Sequence, residues 1–564
     1  MPTQCRDCGR PFEITPRDTA FLAELKLPPP KACPDCRSLL RCSHRNERSL
    51  SKRACSLCKK DIVSMYAADA PFPVYCHDCF FSDRWNPLDF GQPYREDIPF
   101  FEQLKALLDR VPRLSIINKQ TENSEYSNYS FANKNCYLTF GSHYEEDCLY
   151  GAYSTKNKDC LDCLWIYGSE LQYECLFSKN CNRSIFLDHC ADCSDCAFSI
   201  DLKACMHCCF CSNIHHKKYC IFNEQLTKEE YERRLAALHF DTWSGLKEAK
   251  RIFSEEMPKR FPVRAFYQIQ CEDCEGSMLV QCKNVRRCFF STLCEDITYG
   301  VQIDNTFHAA DMDYMGYDRS ERVYQTIGCQ GLFDCISCNA CWHGSGLRYC
   351  QSSFSCHDCF GCISLQQKKH CVLNREYAED EYRALAERIR GGMEKDGTWG
   401  EFFPLSLTPF AYNETMALDW FPLTEAEAKK RGYRWKTDDE IPDVKKIINA
   451  KDLPERVGDI PDDVLNWAIK CEATKRPYRI VKKELEFHRT MNLPLPRHHP
   501  EERHRMRLRR RHGRTLWKRT CMKCGKETQS IYPPKRPAVR GSKEPSGSRG
   551  EIIHCEECYL KEVY

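Results

Sequence analysis

No stretch of the 564 residues approaches the roughly 18 consecutive apolar residues that a membrane-spanning helix requires. The first ten residues carry Cys5 and Cys8 where a signal peptide would place its apolar core, so the chain reads as cytoplasmic. An excess of one charge is also missing: 83 Lys and Arg against 80 Asp and Glu leave a formal charge of +3. With 42% hydrophobic residues and a mean hydropathy of -0.61, neither a collagen nor a wholly disordered chain fits. The chain also lacks G-x-G-x-x-G, a P-loop, H-E-x-x-H and G-x-S-x-G, which leaves dinucleotide, nucleoside-triphosphate, zinc-peptidase and serine-hydrolase chemistry without a motif.

What is present in excess is cysteine, 42 of 564 residues. In a reducing compartment such a density points to metal ligands or buried thiols before disulfides. The cysteines fall in blocks: nine from Cys5 to Cys79, fourteen from Cys136 to Cys220, fourteen from Cys271 to Cys371, Cys471 alone, and four from Cys521 to Cys558. The two blocks of fourteen are related. A shift of 151 positions superposes Ser169 to Tyr231 on Ser320 to Tyr382 without a gap, matching Cys190/Cys341, Cys205/Cys356, Cys208/Cys359, Cys211/Cys362, Cys220/Cys371 and Asn223/Asn374. Two homologous modules follow, each ending in an amphipathic helix, the first opened by the capping pattern Thr227 to Glu230 and the second running from Glu379 to Ile389.

Upstream of those helices, short apolar runs such as Cys136-Tyr-Leu, Cys148-Leu-Tyr and Cys160-Leu-Asp stand between Asn, Asp, Ser, Lys and Gly, with 136, 148 and 160 twelve apart. This pattern predicts a short-rung β-solenoid with cysteines as small inward-facing residues.

Four-ligand metal knuckles stand at both ends. Cysteines two residues apart on a tight turn present two sulfurs and nearby N–H groups to one metal, and two such pairs complete a tetrahedron. Cys5 and Cys8 pair with Cys33 and Cys36, Cys55 and Cys58 with Cys76 and Cys79, and Cys521 and Cys524 with Cys555 and Cys558. The expectation is about three zinc ions, with Cys42, His44 and His77 as spare neighbours.

The segment Cys5-x-x-Cys8-Gly9, Phe12, Thr15, Phe21, Pro30 and Cys33-Pro-Asp-Cys36-Arg37 resembles the probable zinc-ribbon domain family, and the chain as a whole resembles large bacterial multi-zinc-ribbon proteins. The resemblance implies zinc binding and no particular activity.

Among the repeat cysteines, Cys205, Cys208, Cys211 and Cys220 with Cys356, Cys359, Cys362 and Cys371 form a second candidate ligand set, because each has a counterpart in the other module. The competing reading is a ladder of buried thiols, since cysteine packs like a small apolar side chain. Iron-sulfur use is a third, weakened because Cys193 and Cys196 meet Gly344 and Leu347 in the second module.

In the C-terminal third, Trp399, Phe402, Phe403, Phe410, Tyr412, Trp420 and Phe421 form an aromatic segment, Thr424 to Glu427 caps a helix ending near Gly432, and helices are expected over 461–471 and 480–491, with Cys471 a core thiol. Residues 497–519 hold ten Arg or Lys against two Glu. This strip, with Arg503, Arg505, Arg507, Arg509, Arg510, Arg511, Arg514, Lys518 and Arg519, is the candidate nucleic-acid contact, a solvated charged helix being the alternative.

The expected organisation is multidomain and mainly β with short helices. It comprises ribbons at 1–50 and 51–95, a helical linker at 96–127, repeat modules at 128–240 and 268–392 joined by a linker at 241–267, an aromatic and helical segment at 393–496, the basic strip at 497–519, and a third ribbon at 520–564. The expected function is a zinc-binding, non-enzymatic scaffold that associates with nucleic acid or a nucleoprotein. A protein-interaction scaffold with purely structural zinc is the alternative, and a redox or iron-sulfur protein the third reading.

Overall fold

The computed structural model describes residues 3–266, 312–313, 324–327, 344–437, 446–511, 514–534 and 550–563, together with 275–276, 286–288, 290–291, 294–297, 300, 302–303 and 306–309. Most of the second module ahead of residue 344 lies outside the described residues. The chain forms two compact units, Met1–Ile116 with Tyr267–Lys436 and Ile117–Phe266 with Thr437–Tyr564. Among the described residues no helix is long and apolar enough to cross a membrane.

In the second unit, residues 118–221 form a parallel ladder in which paired residues lie twelve positions apart. One column runs Tyr137, Leu149, Leu161, Tyr173, Ile185, Ala197, Cys209 and Ile221. A corner occurs every third residue: from Tyr129 to Phe222 each third φ is positive, Tyr150, Tyr153, Lys156 and Asp159 among them, with Gly141 and Gly168 in the same series. Left-handed backbone costs an L-residue about 1–2 kcal/mol. The corner amides offset this by hydrogen bonding to the adjacent rung, as Tyr150 N does to Tyr137 O at 3.0 Å.

Another series of every third residue is interior. The thiols of Cys136, Cys148 and Cys160 donate to the carbonyls two residues earlier at 3.3, 3.3 and 3.2 Å, and the hydroxyls of Ser154 and Ser178 do the same at 3.1 and 2.8 Å. A narrow interior lined by carbonyls therefore selects small side chains that can donate, and cysteine and serine both satisfy it. On the outer surface Glu122, Lys134, Glu146, Lys158 and Glu170 alternate in charge along one column, a pairing that favours this register.

Pairing begins at Asn118–Lys119, ahead of the 128 boundary read from cysteine spacing, because the first rungs place Ser124 and Ser127 at interior positions. The ladder ends where Glu224–Gln225 turns back antiparallel. Phe186, Phe198, Phe210 and Phe222 stack along one corner at 4.7, 5.4 and 5.0 Å between neighbouring rings. The expected linker 241–267 is instead mostly helical: Trp243–Arg251 continues through a π turn at Ile252–Glu256 into Met257–Arg260. Leu246, Ala249, Phe253 and Met257 are buried against the phenylalanine corner.

Further on, Lys446–Asn449, Trp467–Lys470 and Pro477–Tyr478 form a three-stranded sheet. The helix expected over 461–471 is a 3-10 turn at Asp462–Asn466 followed by the strand Trp467–Lys470. Ile469 pairs with Ile448 and is buried beside Cys471 in one core, so tertiary pairing overrides the local helical pattern. The expected helix over 480–491 is present as Lys482–Thr490.

In the first unit the corresponding strands His357–Phe360 and Lys369–Val372 pair in parallel, and Arg375–Glu376 closes them antiparallel. The register Cys359↔Cys371 lies 151 positions from Cys208↔Cys220. The helix that follows, Glu379–Lys395, is longer than expected and buries Tyr382, Leu385 and Ile389. Trp399, Phe402 and Phe403 join Phe100, Tyr349 and Phe360 in the main core, while Tyr412 packs with Leu39, Cys42 and Met416 in another.

Candidate metal centres

The twelve knuckle cysteines come together in three groups of four: Cys5, Cys8, Cys33 and Cys36; Cys55, Cys58, Cys76 and Cys79; Cys521, Cys524, Cys555 and Cys558. In each group the sulfurs lie within 4.8 Å of one another. All three are built alike. A two-stranded antiparallel hairpin supplies the first pair from its turn, with strands Thr3–Gln4 and Pro11–Phe12, Ser51–Ala54 and Asp61–Ser64, or Trp517–Thr520 and Glu527–Ser530. The second pair opens a helix: Cys33 precedes Pro34–Cys42, Cys76 precedes His77–Phe80 and Cys555 precedes Glu556–Val563.

Each turn needs a left-handed residue one position after its second cysteine. Gly9 and Gly525 supply it at φ 70 and 76, and Lys59 takes it at φ 65. Their amides close on the carbonyls of Cys5, Cys521 and Cys55, each at 2.9 Å. The amides of Cys33, Cys76 and Cys555 donate to the sulfurs of Cys5, Cys55 and Cys521 at 3.2, 3.3 and 3.3 Å.

Across the pairs, Cys8 and Cys33 sulfurs are 3.8 Å apart, Cys58 and Cys76 3.8 Å, and Cys524 and Cys555 3.7 Å. A tetrahedron with metal–sulfur bonds of about 2.3 Å has edges of about 3.8 Å, so the donor sets fit one four-thiolate metal ion each. Burial raises the Cys55 and Cys521 thiols, but backbone N–H groups aimed at their sulfurs outweigh it and bring both down to about 6. A knuckle that favours thiolate in this way is prepared for a cation.

Ribbons two and three dock by the same device. Val74–Tyr75 adds in parallel to Arg113–Leu114, and Ile552–His554 adds in parallel to Pro262–Arg264. Tyr559 then ties the third ribbon to the ladder, its hydroxyl bonding Asp201 at 2.6 Å and Asn213 at 2.7 Å. The spare neighbours stay outside the clusters: Cys42 is in an apolar core, and His44 is buried against Phe402 and Phe403, where burial pulls it down to about 3.

Among the described residues, these three are the groups able to hold a metal ion. Cys205, Cys208, Cys211 and Cys220 lie in a fully buried cluster of ladder thiols, and Cys356, Cys359, Cys362 and Cys371 are equally buried. Their sulfurs donate to interior carbonyls, as Cys205 does to Lys203 O at 3.4 Å and Cys356 to Phe354 O at 3.4 Å. Burial pushes the Cys148 and Cys209 thiols well up, while Cys193 and Cys208 are lowered chiefly because the neighbouring thiols of Cys181 and Cys196 hydrogen-bond to them.

The basic strip is not a continuous surface stripe. Arg503 and Arg507 on the helix Pro500–Arg510 are buried: Arg503 pairs with Asp162 at 2.7 Å and Glu484 at 3.0 Å, and Arg507 pairs with Asp162 at 2.5 Å. Arg510 approaches Glu174 at 3.6 Å, while Arg505 and Arg509 lie near Glu502 at 3.6 and 3.3 Å. Lys518 faces Glu527 at 3.4 Å, and Arg519 donates to the Tyr532 and Pro533 carbonyls at 3.1 and 2.7 Å. Arg511 and Arg514 are half-buried, which leaves Arg509 and Lys518 as the exposed cations of the set.

The acids that neutralise the strip, Asp162, Glu174 and Glu484, belong to no motif, and for the first two the sequence carries one signal. Asp162 and Glu174 interrupt a corner column otherwise made of Tyr150, Phe186, Phe198 and Phe210, and two acids in an aromatic column are that signal. No protein-family model matches the chain, and neither does any curated protein.

Proposed function

We propose that the chain is a non-enzymatic scaffold in which three structural zinc ions pin ribbons to two homologous β-solenoid modules. The observation that carries this reading is the set of three four-thiolate clusters built on one plan. A site closed by four protein ligands leaves no open position for substrate, which suits a structural rather than a catalytic ion, and a tetrahedral S4 set suits zinc or iron. The twelve-residue parallel register and the matching strand pairs 151 positions apart support the solenoid and repeat parts of the proposal. The likeness to bacterial multi-zinc-ribbon proteins belongs to the same proposal.

For the partner, nucleic acid or a nucleoprotein remains the first reading, resting on Arg505, Arg509, Arg510, Arg511, Arg514, Lys518 and Arg519, which lie outside the fully buried cluster. A protein-interaction scaffold is the second reading, and one observation weakens the first: Asp162 and Glu484 neutralise Arg503 and Arg507 inside the fold, which removes two of the strip's charges from any phosphate.

Filter binding against salt decides between them. A nucleic-acid binder loses affinity steeply with salt, and replacing Arg505, Arg509 and Lys518 with Gln lowers the log–log slope by about 0.7–0.9 per lost contact. Binding that is absent, or unchanged in affinity and slope in the triple variant, sinks the nucleic-acid reading.

A further inference from the structure

The deeply buried arginines divide unequally. Arg41 pairs with Asp313 at 2.9 Å, Arg45 with Glu47 at 2.6 Å, and Arg503 and Arg507 with Asp162 at 2.7 and 2.5 Å. Arg113 is 5% exposed, yet among the described residues no carboxylate lies within 4.0 Å of it. Its Nη2 donates to Leu108 O at 3.0 Å and its guanidinium covers the Phe72 ring, 3.7 Å from the centroid, while its Nε is buried with no acceptor. The Tyr66 hydroxyl and the more distant Asp109 carboxylate are its partial compensation, and Asp109 is already paired with Lys105, so a cation largely removed from water lacks a close anion of its own.

Arg113 lines a pocket of about 440 Å³ in the first unit. Lys105, Asp109 and Arg434 share its wall, giving three cations against one carboxylate. Lys105 is partnered by Asp109. The Arg434 Nη2 is anchored on the Thr408 and Phe410 carbonyls at 2.9 and 3.2 Å, which fixes a second guanidinium at the site. Phe72, Leu108 and Leu407 give the wall an apolar side, and Ser406 and Thr408 also line it. A pocket of this size suits a small organic molecule, and two guanidinium groups suit an oxyanion.

We propose that this pocket binds the oxyanion of a small organic phosphate or carboxylate, with the Arg113 and Arg434 guanidinium groups facing the charge and the apolar side covering the organic body. The site adjoins the second ribbon, whose strand Val74–Tyr75 pairs with Arg113–Leu114, but none of its lining residues is a metal-cluster cysteine, and no motif in the sequence marks it.

The test is calorimetric titration of the zinc-loaded full chain at low salt with phenyl phosphate, benzoate, inorganic phosphate and benzyl alcohol. Saturable binding of phenyl phosphate or benzoate is expected, whichever is tighter identifying the oxyanion, together with at least about tenfold weaker binding of the uncharged alcohol. Arg434→Gln should weaken the anion about tenfold, and Arg113→Gln should abolish binding. Arg434 is exposed, so its variant tests the idea even if the Arg113 variant fails to fold. The proposal is overturned if neither organic anion saturates, if folded Arg434→Gln binds as the parent does, or if inorganic phosphate binds as tightly as both organic anions.

Discussion

Asp162 holds two buried guanidinium groups at once, so Asp162→Asn is a demanding test of the second unit. Asparagine preserves shape and tolerates the left-handed φ of 59 at this corner, which isolates the charge. Removing one partner of a buried ion pair typically costs about 3–5 kcal/mol. Arg503 keeps Glu484 at 3.0 Å, but the next carboxylate from Arg507 is Glu174 at 4.0 Å. The lower end of that range, about 3 kcal/mol, is therefore expected. Arg507→Met in the same background should recover part of the loss, because it removes the stranded cation. The assay is urea denaturation of the full chain, in which the perturbation should also raise amide exchange in 149–174 and 500–510 while metal content stays constant. A loss below about 1 kcal/mol, or no recovery in the double variant, would refute the claim that the cluster is dry and mutually dependent.

Three other outcomes are expected. Elemental analysis should find about three zinc ions per chain, and chelation should unfold the ribbons because their hairpins have little other core; five or more zinc ions would move the ladder thiols into the metal set, and iron with visible absorbance would favour the redox reading. Cys205→Ser should leave metal content unchanged and cost no more than about 1.5 kcal/mol, since serine already donates to interior carbonyls at Ser154 and Ser178; loss of an ion would refute the thiol-ladder reading. Glu145 lies inside the ladder with Asn157 Nδ2 donating to it at 2.8 Å, and burial pushes its carboxyl up from 4.5 to about 7. Because the folded state prefers the protonated form, its contribution is fully present below about pH 4.5 and declines as pH rises through 7, by about 3 kcal/mol. Glu145→Gln should flatten that part of the stability profile, and an unchanged profile would show that the carboxyl is not the source.

Much of the candidate metal chemistry was legible because it is local. A cysteine pair two residues apart, followed by a left-handed residue, carries its own turn, so Cys5 to Gly9 and Cys521 to Gly525 declared their knuckles from spacing alone. The twelve-residue interval of Cys136, Cys148 and Cys160 likewise anticipated the register of the ladder, since an interior of carbonyls demands a small donor at fixed intervals. What spacing could not reveal was partnership at long range. Arg503 and Arg507 look like surface charge on a basic helix until Asp162, more than three hundred residues earlier, meets both. Trp467–Lys470 becomes a strand because Lys446–Asn449 lies beside it. Arg113 makes no close ion pair because the fold brings Phe72 to its face and gives the nearby Asp109 to Lys105. Short-range backbone geometry is written in neighbouring residues; whether a charge is solvated, neutralised by an acid or held against an aromatic ring depends on which distant side chains the fold delivers.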